Sequence, residues 1–238
     1  MRELADVVTA PGSIWLVDLP GDGSNVAPPG SGADPFAGWP GVVVEAAEAV
    51  PNAVMLGHST GGMYLLSTPA LEPLLCGLVL VSTAPGAQWR ESFVEMTRRH
   101  PLPAVAAATV AYEAEPTDVH LRDLAVASTE WNFTPEGVAA GRELLARMPY
   151  NGAAVAWSAN HFDDVYLATW WPRSLPTLII SGSDDRIVDQ RLWNEPRFHG
   201  PHVTRARIAG AGHFPWIERP RSVGASLDAF AAAIAAGR

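Results

Sequence analysis

The sequence predicts an α/β fold, in which a mostly parallel, doubly wound sheet carries an inserted helical cap. Three observations lead to this prediction. Short apolar runs alternate with helical segments in the first third of the chain and again near its end. A Gly-x-Ser-x-Gly motif at 57–61 joins one apolar run directly to a helical segment. Between the apolar runs at 76–82 and 175–180, alanine-rich helical periodicity replaces the strand signals.

Composition and charge limit the classes of function. The 238 residues are 48% hydrophobic and 17% charged, as in globular proteins, and the net charge of −9 argues against nucleic acid or an anionic membrane as partner. All 16 basic residues are arginine, which excludes lysine Schiff-base chemistry and a P-loop lysine. The single cysteine, Cys76, cannot form an intrachain disulfide, and there is neither a secretory h-region nor an apolar run of ~18 residues. We therefore expect a cytoplasmic protein with no membrane partner.

The periodicity of apolar residues predicts the elements in order. Ser13–Leu19 (SIWLVDL) is predicted to be a buried parallel strand, and the Pro-, Gly- and Ser-rich residues 25–40 an irregular surface segment. Residues 1–83 and 172–238 form the predicted core, and residues 84–171 the predicted cap. Further strands are predicted at 53–56, 76–82, 175–180 and 204–208, core helices at 2–9, 42–50, 63–75 and 222–235, and cap helices at 91–99, 104–112, 119–128 and 135–147.

The stretch Pro51–Leu66 is predicted to be a strand, a tight turn and a helix, with Ser59 at the apex. This context fits a nucleophile elbow, in which a strained turn projects a serine hydroxyl above the sheet. Strand and helix approach closely there, so we expect a side chain at Gly57 or Gly61 to collide with neighbouring backbone. The backbone N–H of Thr60 opens the helix and is the candidate oxyanion donor.

A serine nucleophile needs a base within hydrogen-bond reach, and the base needs an acid that fixes its tautomer. Of the seven histidines, His213 follows a strand at a glycine-rich turn, which would put it on the same edge of the sheet as Ser59. Asp184 and Asp185 both follow the strand at 175–180, and their position alone does not choose between them. The order serine, acid, histidine is used by one fold among the triad enzymes.

Four motifs in this order resemble those of the α/β-hydrolase superfamily, and the resemblance covers most of the chain. They are the strand and loop at 15–23, the elbow at 57–62, the acid strand at 176–185, and the histidine loop at 210–215 with the following Glu218-x-Pro220. In the family the aspartate falls three residues after the glycine of the acid strand, which selects Asp185.

The resemblance implies a serine hydrolase that needs no cofactor or metal and acts on a small-molecule ester, amide or related acyl compound. In this role Ser59 attacks the substrate, His213 relays the proton, Asp185 orients His213, and the Thr60 N–H stabilises the oxyanion. In the family, a His-Gly-type loop before the first helix donates a second oxyanion N–H. The strand leading to that loop lies between the Trp15 strand and the elbow strand. The sequence contains neither, so we expect both to be missing from this chain.

Two other functions stay open at this stage. Cofactor-free haloperoxidases or perhydrolases resemble the chain in the same elbow and triad, and a shortened hydrolase fold would serve as a non-catalytic binding protein. Aromatic residues concentrate in the second half of the insert, where they predict an acyl pocket over Ser59, although aromatic residues also dominate cores. They are Trp131, Phe133, Trp157, Phe162, Tyr166, Trp170 and Trp171.

Overall fold

A computed structural model of the protein describes residues 2–21, 25 and 34–237. Its sheet has four strands in the order β1-β2-β3-β4, and each strand runs parallel to its neighbour, which confirms the predicted fold class. The inner strands β2 and β3 are buried almost throughout, as is usual in a parallel sheet covered on both faces. The strands are β1 Val54–His58, β2 Gly77–Val81, β3 Thr177–Gly182 and β4 Val203–Ile208.

Helices cover both faces of this sheet, and alternate residues of each inner strand therefore enter different cores. Leu78 and Leu80 of β2 pack into the core that contains α2 and α3, whereas Val79 and Val81 pack into the core that contains α1 and α11. None of the helices in the described ranges combines the length and apolar character needed to cross a bilayer. The core helices are α1 Arg2–Ala5, α2 Trp39–Ala49, α3 Thr60–Leu66, α10 Pro215–Glu218 and α11 Pro220–Ala236.

The chain between β2 and β3 is helical, and helices overlap all four positions predicted there. Two further helices, α7 and α9, escaped the sequence analysis because one is a single turn and the other has alanine on most sides. The assignment of residues 84–171 as one cap stays a prediction. The helices are α4 Trp89–Arg99, α5 Pro103–Ala114, α6 Asp118–Ala127, α7 Thr129–Asn132, α8 Val138–Arg147 and α9 Gly152–His161.

The aromatic residues of this insert act mainly in packing. Phe162, Tyr166 and Trp170 are buried in the same core cluster as α2 and α3. The Tyr166 hydroxyl donates to the carbonyl of Ala84, and the Trp170 indole donates to that of Leu65. These contacts favour the core interpretation for these three side chains, and the acyl pocket stays a prediction.

The predicted strand Ser13–Leu19 is wrong. In the structure this segment is no strand, and it leaves Trp15 69% exposed and Ile14 and Leu16 half exposed. The described residues place no strand between this segment and β1, and extended backbone without a hydrogen-bonding neighbour cannot form a ladder. Gly23 and half of the segment 25–40, residues 26–33, lie outside the described residues. The end of that segment is not irregular, because Trp39 is buried and begins α2.

The exposure of Trp15 makes a testable difference to stability. We expect Trp15→Ala to change the free energy of unfolding by no more than about 0.5 kcal/mol, as for other exposed side chains. Trp193 is 1% exposed and its indole donates to the carbonyl of Thr83, so Trp193→Ala should cost about 3–5 kcal/mol. Urea unfolding of both variants measures this difference. A large loss in Trp15→Ala would mean that the segment is buried after all.

Candidate active site

Ser59 lies at the junction of β1 and α3 with a backbone conformation that is uncommon for a residue with a side chain. Its φ is +50° and its ψ is −125°. Hydrogen bonds hold it from both sides: its N–H donates to the carbonyl of Val81 at 2.9 Å, and its own carbonyl accepts from Thr83 Oγ1 at 2.7 Å. The end of β2 therefore stabilises the strained turn that carries the serine.

The glycines of the elbow agree with the prediction at Gly57 but not at Gly61. A Cβ at Gly57 would lie 2.5 Å from the backbone nitrogen of Gly62, so the predicted collision is confirmed at this position. The prediction for Gly61 is wrong, because a Cβ there would meet no atom within 4 Å. The second position that excludes a side chain is Gly62, where a Cβ would lie 2.8 Å from the Thr83 side chain. The turn thus needs glycine at Gly57, where α3 crosses β1, and at Gly62, where α3 lies against the Thr83 side chain.

His213 and Asp185 form a buried pair at the carboxyl end of the sheet. Both carboxylate oxygens of Asp185 lie 3.2 Å from His213 Nδ1, and the two side chains are 5% and 1% exposed for His213 and Asp185. The Asp185 carboxylate also accepts from the N–H groups of Ile187 and Val188 and from Gln190 Nε2. These donors fix the position of the carboxylate, so that both of its oxygens face His213 Nδ1.

Asp184 has a different environment from its neighbour. It is exposed, and its carboxylate accepts from Ser183 Oγ at 2.6 Å. Its backbone N–H donates to the carbonyl of Ala211. Asp185 is therefore the carboxylate that contacts His213, and Asp184 belongs to the turn after β3.

Comparison with known proteins agrees with this architecture. The sequence model of the alpha/beta hydrolase family matches residues 2–225. The chain belongs to the alpha/beta hydrolase family. This membership confirms both the resemblance seen in the sequence motifs and the predicted enzyme class.

Individual relatives of this hydrolase are esterases and other hydrolases. The chain is 30% identical over 237 residues to a pimeloyl-[acyl-carrier protein] methyl ester esterase of Xanthomonas oryzae pv. oryzae, an alignment that covers 93% of this chain and 85% of the relative. An alpha/beta fold family hydrolase from Bacillus anthracis superposes with a TM-score of 0.73 at 16% identity, covering 96% of this chain and 85% of that one. An esterase from Rhodococcus sp. ECU1013 gives 0.69 at 23% identity, with coverages of 98% and 85%.

His58 joins the elbow of this hydrolase to the histidine loop, a contact that the sequence analysis missed. Its ring centroid lies 4.8 Å from that of His213, and its Nε2 lies 3.0 Å from the carbonyl oxygen of His213. Phe214 and Trp216 close around the same ring. A neutral His58 with its proton on Nε2 donates to that carbonyl, so the residue before Ser59 supports the backbone of His213.

The pKa of His58 lies well below its ordinary value. Burial among these rings disfavours the charged imidazolium, and positive charge on His213 disfavours it further. His58 is partly buried, and its Nε2 lies against the carbonyl oxygen of His213. The hydrogen bond to the His213 carbonyl raises the pKa of His58, but less than burial lowers it.

The remaining predicted group, the Thr60 N–H, is the first of α3. Within the described residues it makes no backbone hydrogen bond, so it is free to donate to a substrate oxygen. Among the described residues, the His213 ring hydrogen-bonds to Asp185, and no hydrogen bond joins it to Ser59 Oγ. The described residues also hold no group of three His, Cys, Asp or Glu side chains arranged to bind a metal ion.

The lowered pKa of His58 predicts a pH dependence of stability. Below about pH 6.5 the unfolded chain protonates this histidine whereas the folded protein does not, so the unfolded state gains protons and stability falls as the pH falls. Above pH 6.5 this histidine is neutral in both the folded and the unfolded state, and it no longer lowers the free energy of unfolding. His58→Gln should therefore flatten the loss of unfolding free energy between pH 7.5 and 5.5, measured by urea denaturation. His199→Gln, at an exposed histidine, serves as the control, and equal slopes for the two variants would contradict this assignment.

Proposed function

We propose that the protein is a serine esterase in which Ser59 is the nucleophile, His213 the general base and Asp185 the acid. The observation that carries this proposal is the buried Asp185–His213 pair, which follows the strained Ser59 turn on the same edge of the sheet. His58 brings the two together, because it precedes the serine and contacts the backbone of the base. Membership in the hydrolase family supports the same reaction class.

The proposed reaction proceeds in two halves. Asp185 accepts from His213 Nδ1–H, which leaves Nε2 to take the proton from Ser59 Oγ as that oxygen attacks the ester carbonyl carbon. The Thr60 N–H donates to the oxygen that becomes negative in the tetrahedral intermediate. His213 Nε2–H then protonates the departing alcohol, which leaves an acyl group on Ser59. A water molecule activated by His213 releases the carboxylic acid and restores the serine.

The substrate class we propose is a small carboxylic ester with a small alcohol as leaving group. The curated relatives are named for a methyl ester of a pimeloyl group on an acyl-carrier protein, so pimeloyl methyl esters are the first compounds to test. Assaying the same methyl ester free and attached to the carrier separates two cases. A higher kcat/KM for the carrier-bound ester than for the free ester would mean that the protein recognises the carrier as well as the ester.

The nucleophile is tested by covalent labelling. A fluorophosphonate probe should label the wild-type protein, and Ser59→Ala should abolish both labelling and methyl ester hydrolysis, because the substitution removes the proposed nucleophilic hydroxyl. Ser67→Ala is the matched control: Ser67 lies just after the other end of the same helix, where its hydroxyl donates to the carbonyl of Met63. Labelling that persists in Ser59→Ala would refute the nucleophile, and an unlabelled wild-type protein would favour a non-catalytic binding role.

The acid is tested by neighbouring substitutions. Asp185→Asn should lower kcat on the order of 10⁴-fold, because the amide no longer fixes the His213 tautomer. Asp184→Asn should leave kcat within a few-fold of wild type, since its carboxylate contacts Ser183 and not His213. Steady-state hydrolysis of a p-nitrophenyl ester measures both. The reverse result would move the acid by one residue.

A further inference from the structure

We propose that Glu218 is a positioning residue that fixes the histidine loop, residues 210–215, to the helical insert. The inference rests on the proposed role of His213 as general base. Glu218 ends α10, five residues beyond His213, and its carboxylate accepts hydrogen bonds from Thr134 and Gly212. It would act on catalysis through the backbone next to His213.

The Glu218 carboxylate bridges two segments that are far apart in sequence. One oxygen, Oε2, accepts from the N–H of Gly212 at 2.6 Å. The other, Oε1, accepts from both the N–H and the hydroxyl of Thr134, at 2.8 and 2.6 Å. Hydrogen bonds to an ionised acceptor are short and roughly twice as strong as neutral ones. The residue before His213 is thus tied to the chain after α7.

A second contact fixes the same two segments directly. The N–H of His213 donates to the carbonyl of Asn132 at 2.8 Å. Beside it, the ring of Phe133 stacks on that of Phe214, with centroids 5.1 Å apart and planes at 11°. Asn132 therefore contacts His213, and Phe133 contacts Phe214. Thr134 binds Glu218, which in turn binds Gly212.

Two glycines make this approach possible. A Cβ at Gly212 would lie 2.3 Å from the carbonyl oxygen of Asn132, and a Cβ at Gly137 would lie 2.3 Å from Glu218 Oε1. Each segment thus lacks a side chain where the other comes closest. The junction is a close-fitting contact, in which a displacement of the insert displaces the main chain of His213.

The catalytic consequence follows from the two tasks of the imidazole. His213 must keep Nδ1 at Asp185 while Nε2 reaches the Ser59 hydroxyl, and a misplacement of about 1 Å in such a site costs on the order of 10²-fold in rate. Asp185 holds the ring, whereas Glu218 and Asn132 hold the backbone from which the ring extends. Glu218 should therefore affect turnover more than substrate binding.

An exposed ion pair at the same junction supplies a matched control. Arg219 Nη2 lies 3.0 Å from Glu136 Oε2, and the two side chains are 37% and 78% exposed. This pair also joins the insert to the residue after α10. The hydrogen bond of the Glu136 carboxylate goes to the Arg219 side chain, which lies beside Gly210. Surface pairs of this kind contribute little to stability.

The test compares Glu218→Gln and Thr134→Val with Glu136→Gln in the full-length protein. We expect Glu218→Gln to lower kcat on the order of 10- to 100-fold with KM nearly unchanged, because an amide cannot accept on both sides of the bridge. Thr134→Val, which removes only the hydroxyl donor, should give a smaller loss of kcat, and Glu136→Gln none. The downfield proton resonance of His213 Nδ1–H should broaden or shift in Glu218→Gln and stay in place in Glu136→Gln.

The outcomes separate this inference from the proposed function. If Ser59→Ala retains hydrolysis, the proposed function fails whatever Glu218 does. If Ser59 is essential but folded Glu218→Gln keeps the wild-type kcat and the His213 resonance, the positioning role is wrong. An equal fall in kcat for Glu218→Gln and Glu136→Gln would also overturn it, because the effect would then belong to the junction in general. Thermal unfolding of each variant establishes that it is folded. If Glu218→Gln does not fold, the kcat and the His213 resonance of Thr134→Val decide whether the bridge positions His213.

Discussion

The backbone contact between Gly57 and Gly62 is the constraint on which the rest of the site depends. β1 and α3 approach so closely there that no side chain fits at Gly57. This crossing forces the chain to reverse within Ser59, whose φ of +50° is the result. The reversal also makes Thr60 the first residue of α3, with a free N–H beside the serine. The positions of the proposed nucleophile and the proposed oxyanion donor therefore both follow from one packing contact.

His213 is held by groups from three parts of the chain, each of which contacts a different atom of the residue. Asp185, after β3, contacts the ring nitrogen. His58, at the end of β1, contacts the carbonyl oxygen, and Asn132 of the insert accepts from the N–H. Because the ring and both main-chain polar groups have partners, the orientation of this residue depends on the whole carboxyl edge of the sheet.

The features that the sequence predicted best are those that depend on a local pattern of residues, such as a strand buried on both faces of the sheet. The inner strands β2 and β3 are continuous apolar runs, and the elbow carries its glycines at fixed spacing, so both could be located directly. Ser13–Leu19 has the same apolar character, but a strand also needs a partner, and no local pattern reports whether one is present. Asp185 could be separated from Asp184 only by resemblance to a family. Glu218 could not be assigned a role at all, because its partner Thr134 is 84 residues away.

The position of β1 at the edge of the sheet has a consequence for hydrogen exchange along this strand. Ser59 N–H bonds to Val81, and the register pairs β1 with β2, so the amides of Met55 and Gly57 point towards β2. The intervening amides, up to that of His58, point the other way, where the described chain provides no strand. Amide hydrogens along β1 should consequently exchange with deuterium in an alternating pattern. The alternation ends at Ser59, whose own N–H is bonded to the carbonyl of Val81.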